Sequence, residues 1–198
     1  MRDIIRMIVV LGVLGAASGG GLALVKQGTA AQIEYQQLKF VKGPAILEIL
    51  QGCSNDPLVD RFKIKDGETD KSFYVGVFDG KANAVAFETY GKGFGGDIGI
   101  MVGVNLETDQ VTGIGITTPF SETPGLGARA KTDEKFKGSF KGLSIDGPIK
   151  VKVDGGAVDA ISGATITSRG VCAGVTSSSE FYKKLKPQIM EKAAAFAK

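Results

Sequence analysis

The chain has 198 residues, 43% of them apolar, with 24 basic and 21 acidic side chains and a net charge of +3. That is enough apolar material for a packed domain, and the charge balance, with no basic run, does not point to nucleic acid. Histidine is absent and cysteine occurs only at Cys53 and Cys172, which excludes Ser-His-Asp and Cys-His catalysis, histidine-bound metal, and iron–sulfur clusters with their roughly four thiolates.

Residues 7–25 carry no charge and lie between Arg6 and Lys26. A membrane span needs about 20 apolar residues, so this run predicts one N-terminal anchor. Glycines 19–21 weaken the helix, yet lipid offers the backbone no other way to satisfy its polar groups. Gly15 and Gly19 give a small-xxx-small spacing that suits a neighbouring helix. Two competing readings are a signal peptide cut near Ala17 and a buried core helix. Arg2 and Arg6 precede the span and only Lys26 follows closely, which orients the N-terminus to the cytoplasm and the remainder outside.

A polar connector follows, then a helix within about 32–51 broken at Gly43-Pro44. Four strands are expected at 72–78, 82–89, 98–106 and 111–118, rich in Val, Ile, Phe and Tyr, with Asp79-Gly80 and residues 107–110 as hairpin connections. Such a succession reads as an antiparallel meander. A loop at 119–130, a short helix at 133–137 and a strand at 149–153 come next. Val171, Val175, Ser178, Tyr182 and Leu185 then form an amphipathic stripe on a helix over 166–185. Pro187 is expected to end it, with one more helix at 188–198. The fold class is α+β: an anchor (1–26), a connector with a helical segment (27–71), and a domain of antiparallel sheet flanked by helices (72–198).

Three segments carry possible chemistry. The first, 159–168, reads Asp-Ala-Ile-Ser-Gly-Ala-Thr-Ile-Thr-Ser. Ser162, Gly163 and Ala164 permit close backbone approach, and Thr165, Thr167 and Ser168 stand where a helix begins, a place suited to phosphate. Arg169 adds a possible charge-assisted contact. A plain N-cap explains the same residues. The second, 119–128, holds Glu122-Thr123-Pro124-Gly125-Leu126-Gly127, a tight turn that reads either as an ordinary loop or as a functional one. The third, 91–99, is glycine-rich around Phe94. It lacks Gly-Lys-Ser/Thr in register and precedes a strand, so it is no nucleotide-hydrolysing loop; it reads as a bend that lets a ligand approach the sheet.

Together, behind one N-terminal span, these segments resemble the FMN-binding domain family. That family includes RnfG of the Rnf electron-transport complex and NqrC of the sodium-translocating NADH:quinone reductase. The resemblance covers about 73–182, and the short connector is more like RnfG. It implies one FMN per chain, esterified through its phosphate to Thr165 by a flavin transferase. Asp159, Ser162, Gly163 and Ala164 belong to the modification motif. Thr167 and Ser168 follow in the helix start. Glu122, Thr123, Gly125, Leu126 and Gly127 form the flavin-proximal loop.

By the same resemblance the chain is an electron relay without a catalytic residue or metal of its own. It works in a complex that moves electrons between ferredoxin and NAD coupled to ion movement, beside other membrane subunits, with the FMN domain on the periplasmic side. Relatives often carry a histidine shortly before the Glu-Thr-Pro motif, where this chain has Phe120 and Ser121. Competing functions are an NqrC-type role in the quinone reductase, a non-redox anchored module that binds a phosphorylated ligand or serves assembly, and a flavin reductase drawing protons from Glu122, Tyr90 or Asp97. Cys53 and Cys172 either pair in an oxidising compartment or stand apart as thiols.

Overall fold

A computed structural model describes residues 2–67, 69–117 and 121–197; the expected strand end at Thr118 and the loop residues Pro119 and Phe120 lie outside them. Two compact units divide the chain, Met1–Leu38 and Lys39–Lys198. In the first, α1 (Arg2–Gln37) buries none of its residues within the protein. An 18-residue window of it has a mean hydropathy of 2.2, which with its length makes it a candidate membrane span. The helix runs on through the expected polar connector. Beyond Lys26, Gln, Ala and Glu favour helix, with Gly28 the one poor helix former among the early positions.

A π turn (Leu38–Lys42) spans the boundary in sequence, and the second unit continues with α2 (Gly43–Ile49). Gly43-Pro44 therefore starts a helix instead of breaking one. At the first turn proline has no hydrogen bond to lose, and its φ is already helical.

Five antiparallel strands follow in simple order: β1 (Arg61–Asp66), β2 (Thr69–Phe78), β3 (Lys81–Lys92), β4 (Asp97–Asn105) and β5 (Val111–Ile116). The α+β meander is as the sequence predicts, with β1 added at the edge. Asp79 and Gly80 turn β2 into β3 with φ of 51° and 77°, the double positive φ of a type I′ hairpin.

Both faces of the sheet are covered. On one, Phe73, Val75, Phe87, Ile100 and Val102 pack with Val171, Val175, Tyr182, Leu185 and Ile189 of α4 (Thr165–Ala194). Each such side chain contributes about 1.5–3 kcal/mol on full burial. The helix crosses β3 at glycines: a methyl on Gly174 would stand 2.6 Å from Ile100 Cδ1 and 2.9 Å from both Gly91 N and Tyr90 O. The buried Thr89 hydroxyl donates to the Gly174 carbonyl at 3.1 Å. On the other face α2 lies over Gly103, Gly113 and Gly115, where a methyl on Gly115 would stand 2.6 Å from Ala45 Cβ. Lys42 pairs with Glu88 of β3 at 2.7 Å, and Glu88 also accepts from Thr117 at 2.9 Å.

Two further expectations are corrected. Pro187 lies inside α4, which continues to Ala194; buried Leu185, Ile189 and Ala193 hold both sides of it to the core. The expected strand at 149–153 is one bridge, Val151 to Val158, followed by a 3₁₀ turn at Lys152–Asp154. The chain reverses at Gly155, φ 79°, before a ladder can form. The short helix α3 (Glu134–Gly138) is present, capped by Asp133, which accepts from the Phe136 N–H. Both cysteines are free thiols.

Candidate functional site

The first motif segment folds back on the start of α4. Gly163 takes φ 77°, a left-handed conformation that glycine adopts without a Cβ penalty. Buried Ser168 stitches the turn: its Oγ accepts from the Ile161 N–H and donates to the Ala164 carbonyl, both at 3.0 Å. The N-cap residue is Ala164, which has no side-chain acceptor to offer. Among the described residues, the first-turn N–H groups of Thr165, Ile166 and Thr167 thus lack both an intrahelical acceptor and a cap. Thr165 is half-exposed, and among the described residues nothing hydrogen-bonds its hydroxyl.

Glu122 joins all three segments. It is 6% exposed. Its Oε1 accepts from the Gly95 N–H at 2.9 Å and its Oε2 from the Thr167 hydroxyl at 2.5 Å. Gly93 and Gly127 crowd its carboxyl so closely that a methyl on either would collide with it. The loop carrying it turns at Gly125, φ 78°, and closes through Leu126 N–H to Thr123 O at 3.1 Å.

These contacts surround a cleft of about 410 Å³, within the roughly 300–1,000 Å³ of small-ligand sites. Glu122, Thr123, Leu126, Gly127, Gly163, Ala164, Thr165 and Thr167 line it, joined by Phe94 and Ile166. Phe94, Leu126 and Ile166 are 70%, 44% and 52% exposed, so the rim of the cleft offers apolar surface.

The other expected residues stand apart from the lining. Gly125 and Ser162 are exposed beside it, and Ser168 lies buried beneath it. Asp159 pairs with Lys152 at 2.8 Å, and that hydrogen bond holds its carboxyl below the ordinary aspartate value. Phe94 and Ile166 were not singled out by sequence, although each lies inside a segment that was. Phe120 is outside the described residues, and Ser121 is exposed.

The sequence pattern of the FMN-binding domain matches residues 93–180, a stretch holding the core of all three segments. The G subunit of an ion-translocating oxidoreductase complex from Methanosarcina acetivorans is 34% identical, over 91% of this chain and 95% of that protein. The chain belongs to the FMN-binding domain family. A second relative in the family, the corresponding G subunit from Pseudomonas aeruginosa, is 31% identical over 96% of this chain and 93% of its own.

Among solved structures, the C subunit of the Na(+)-translocating NADH-quinone reductase from Parabacteroides distasonis superposes with a TM-score of 0.54 at 26% identity. It covers 64% of this chain and 76% of that one. NqrC of Shewanella oneidensis gives 0.52 at 28% identity over 62% of each chain.

Proposed function

We propose that this chain is the FMN-carrying electron relay of a membrane-bound, Rnf-type ion-translocating oxidoreductase complex, with one FMN joined to Thr165 as a phosphoester. The observation that carries the reading is the Thr165 hydroxyl. It is accessible, unpartnered among the described residues, and set on an uncapped helix start inside the cleft.

The residues fit the group. The free N–H groups of the first turn of α4 suit phosphate oxygens. Gly163 leaves the approach to the turn clear of a side chain, since a methyl there would already press on Leu126 Cδ2 at 3.0 Å. Phe94, Leu126 and Ile166 offer apolar surface to a planar ring and would lose their exposure against it. When bound, the flavin supplies carriage of electrons, which no side chain here provides. The chain's own part is to hold and shield. Ser168 and Glu122 fix the turn, Thr165 provides the Oγ–P linkage, and the apolar rim keeps water from the ring.

On this reading a flavin transferase installs the FMN. The α1 helix anchors the chain among the other membrane subunits, with its N-terminus cytoplasmic and the FMN domain on the periplasmic side. Ferredoxin and NAD are the ends of the electron path. A second reading, an NqrC-type role in a sodium-translocating NADH:quinone reductase, draws support from the two superposed structures. These cover 62–64% of the chain, however, where the G-type relatives cover 91–96%.

Thr165→Ala tests the proposal. The variant is expected to fold within about 0.5 kcal/mol of the parent, because it loses one half-exposed hydroxyl and little packing. It should lack both in-gel flavin fluorescence after denaturation and the mass of FMN less one water. A fluorescent denatured Thr165→Ala band overturns the assignment.

A further inference from the structure

One ion pair beside the attachment turn takes no part in lining the cleft. Arg169 follows Thr165 by four residues in α4, so the two side chains leave the same helix face with Cβ atoms about 5–6 Å apart. Asp154 grips the guanidinium along one edge: Nε donates to Oδ2 at 2.7 Å and Nη2 to Oδ1 at 2.6 Å. A guanidinium carries five N–H donors in a rigid fork. This grip uses two of them, and the Nη1 end has no partner among the described residues.

The gripping carboxylate is itself held. Asp154 ends the 3₁₀ turn whose first residue, Lys152, pairs with Asp159 at 2.8 Å, and Val151 is bridged to Val158. The turn is thereby tied to both ends of the motif, to Asp159 before Thr165 and to Arg169 after it. As a stabilising device the Asp154–Arg169 pair would be poor, since its side chains are 34% and 53% exposed and exposed pairs contribute about 0–1 kcal/mol. As a means of orienting a guanidinium it is effective. An arginine gripped along one edge presents the other in a fixed direction, and planar phosphate recognition depends on that.

We propose that Arg169 binds a phosphoryl oxygen of the ester on Thr165 through its free edge, with Asp154 as the positioning residue that aims it. The inference rests on the covalent-FMN reading. It assigns the ester's negative charge to one cation in preference to the nearby Lys92, whose carbonyl packs on Gly170, and Lys150, which shares a groove with Arg169.

Phosphorus-31 NMR of the full-length flavinylated chain in detergent tests it, with intact mass measured on each sample. Arg169→Gln is expected to move the phosphodiester resonance, and Asp154→Asn to move it the same way by less. Lys92→Gln and Lys150→Gln should leave it in place. Added salt should carry the parent resonance toward that of Arg169→Gln and leave the variant unmoved.

Arg169→Lys keeps the charge without the fork, and its resonance should fall between parent and Gln variant; it serves if the Gln protein does not accumulate. A resonance unmoved in every Arg169 variant obtained, or moved by a lysine variant alone, overturns the inference while the measured FMN mass keeps the attachment reading intact. An unmodified mass in the parent overturns the attachment reading, and the role of Arg169 falls with it.

Discussion

Replacing Glu122 by alanine takes the acceptor from two donors at once, the buried Thr167 hydroxyl and the N–H of the exposed Gly95. The buried hydroxyl left without a partner costs about 1–3 kcal/mol, the lost bond to Gly95 about 0.5–1.5 kcal/mol, and deleting the side chain in a well-packed place adds a cavity. The expected loss is about 3–5 kcal/mol, or about 6–20 °C in Tm at about 2–4 °C per kcal/mol for a chain of this size. Glutamine keeps the shape. Its amide oxygen can accept from Gly95, and its amide N–H can donate to Thr167 Oγ1, a hydroxyl oxygen able to do either. Both contacts are then kept, one with its direction reversed so that the Thr167 O–H loses its acceptor, and the expected cost is about 1–2 kcal/mol.

Thermal unfolding of the full chain in detergent, followed by circular dichroism, measures both. A double-mutant cycle of Glu122→Ala with Thr167→Val should return a coupling of about 1–3 kcal/mol. Zero coupling, or a glutamine variant as damaged as the alanine one, would refute the view that Glu122 acts as a hydrogen-bonded tie between segments.

Three further outcomes are expected. Gly174→Ala should lower Tm by about 2–12 °C, because overpacking costs about 1–3 kcal/mol and its new methyl meets backbone atoms that cannot swing away; Gly138→Ala, with open space around it, is the control and should not lower it. At Asp109, burial works against ionisation, but the hydrogen bonds from Lys186 and Tyr182 outweigh it and hold the carboxyl below the ordinary value of 3.8. Its contribution is therefore full above that pH and lost as pH falls below it. Tm curves of parent and Asp109→Asn should lie apart at neutral pH and converge in acid, asparagine also tolerating the local φ of 54°. Cys172 should resist maleimide until the chain is unfolded, because burial, with the charge of Asp154, pushes its thiol up to about 12; mass spectrometry before and after denaturation counts the labels.

Four strands, the Asp79-Gly80 hairpin, the short helix at Asp133 and the apolar N-terminal helix are legible because each obeys a local rule. The strand at Arg61–Asp66 is harder to read, although Phe62 and Ile64 alternate with Arg61, Lys63 and Lys65. Charges on its outer face, which protect a sheet edge from pairing with other chains, break up the apolar run that marks the inner strands. Pro187 misled for the opposite reason, since a local penalty of about 3 kcal/mol is outweighed by tertiary burial on either side of it. At the site, the motif residues were readable one by one. Their mutual arrangement was not. The ties from Glu122 to Gly95 and Thr167 span 27 and 45 residues, and no periodicity reports contacts of that range. Phe94 joined the cleft by the same long-range route.

The bare N-cap at Ala164 marks a trade-off between sturdiness and use. Serine, asparagine or aspartate there would cap α4 and add about 0.5–2 kcal/mol, an improvement open to a single substitution. On the proposed reading the same side chain would occupy the N–H groups that an incoming phosphate needs, and aspartate would also repel it. The position is thus one where a more stable protein would be a poorer carrier. A screen for thermostability alone would be drawn to Ala164, and one for flavin content would reject what it found.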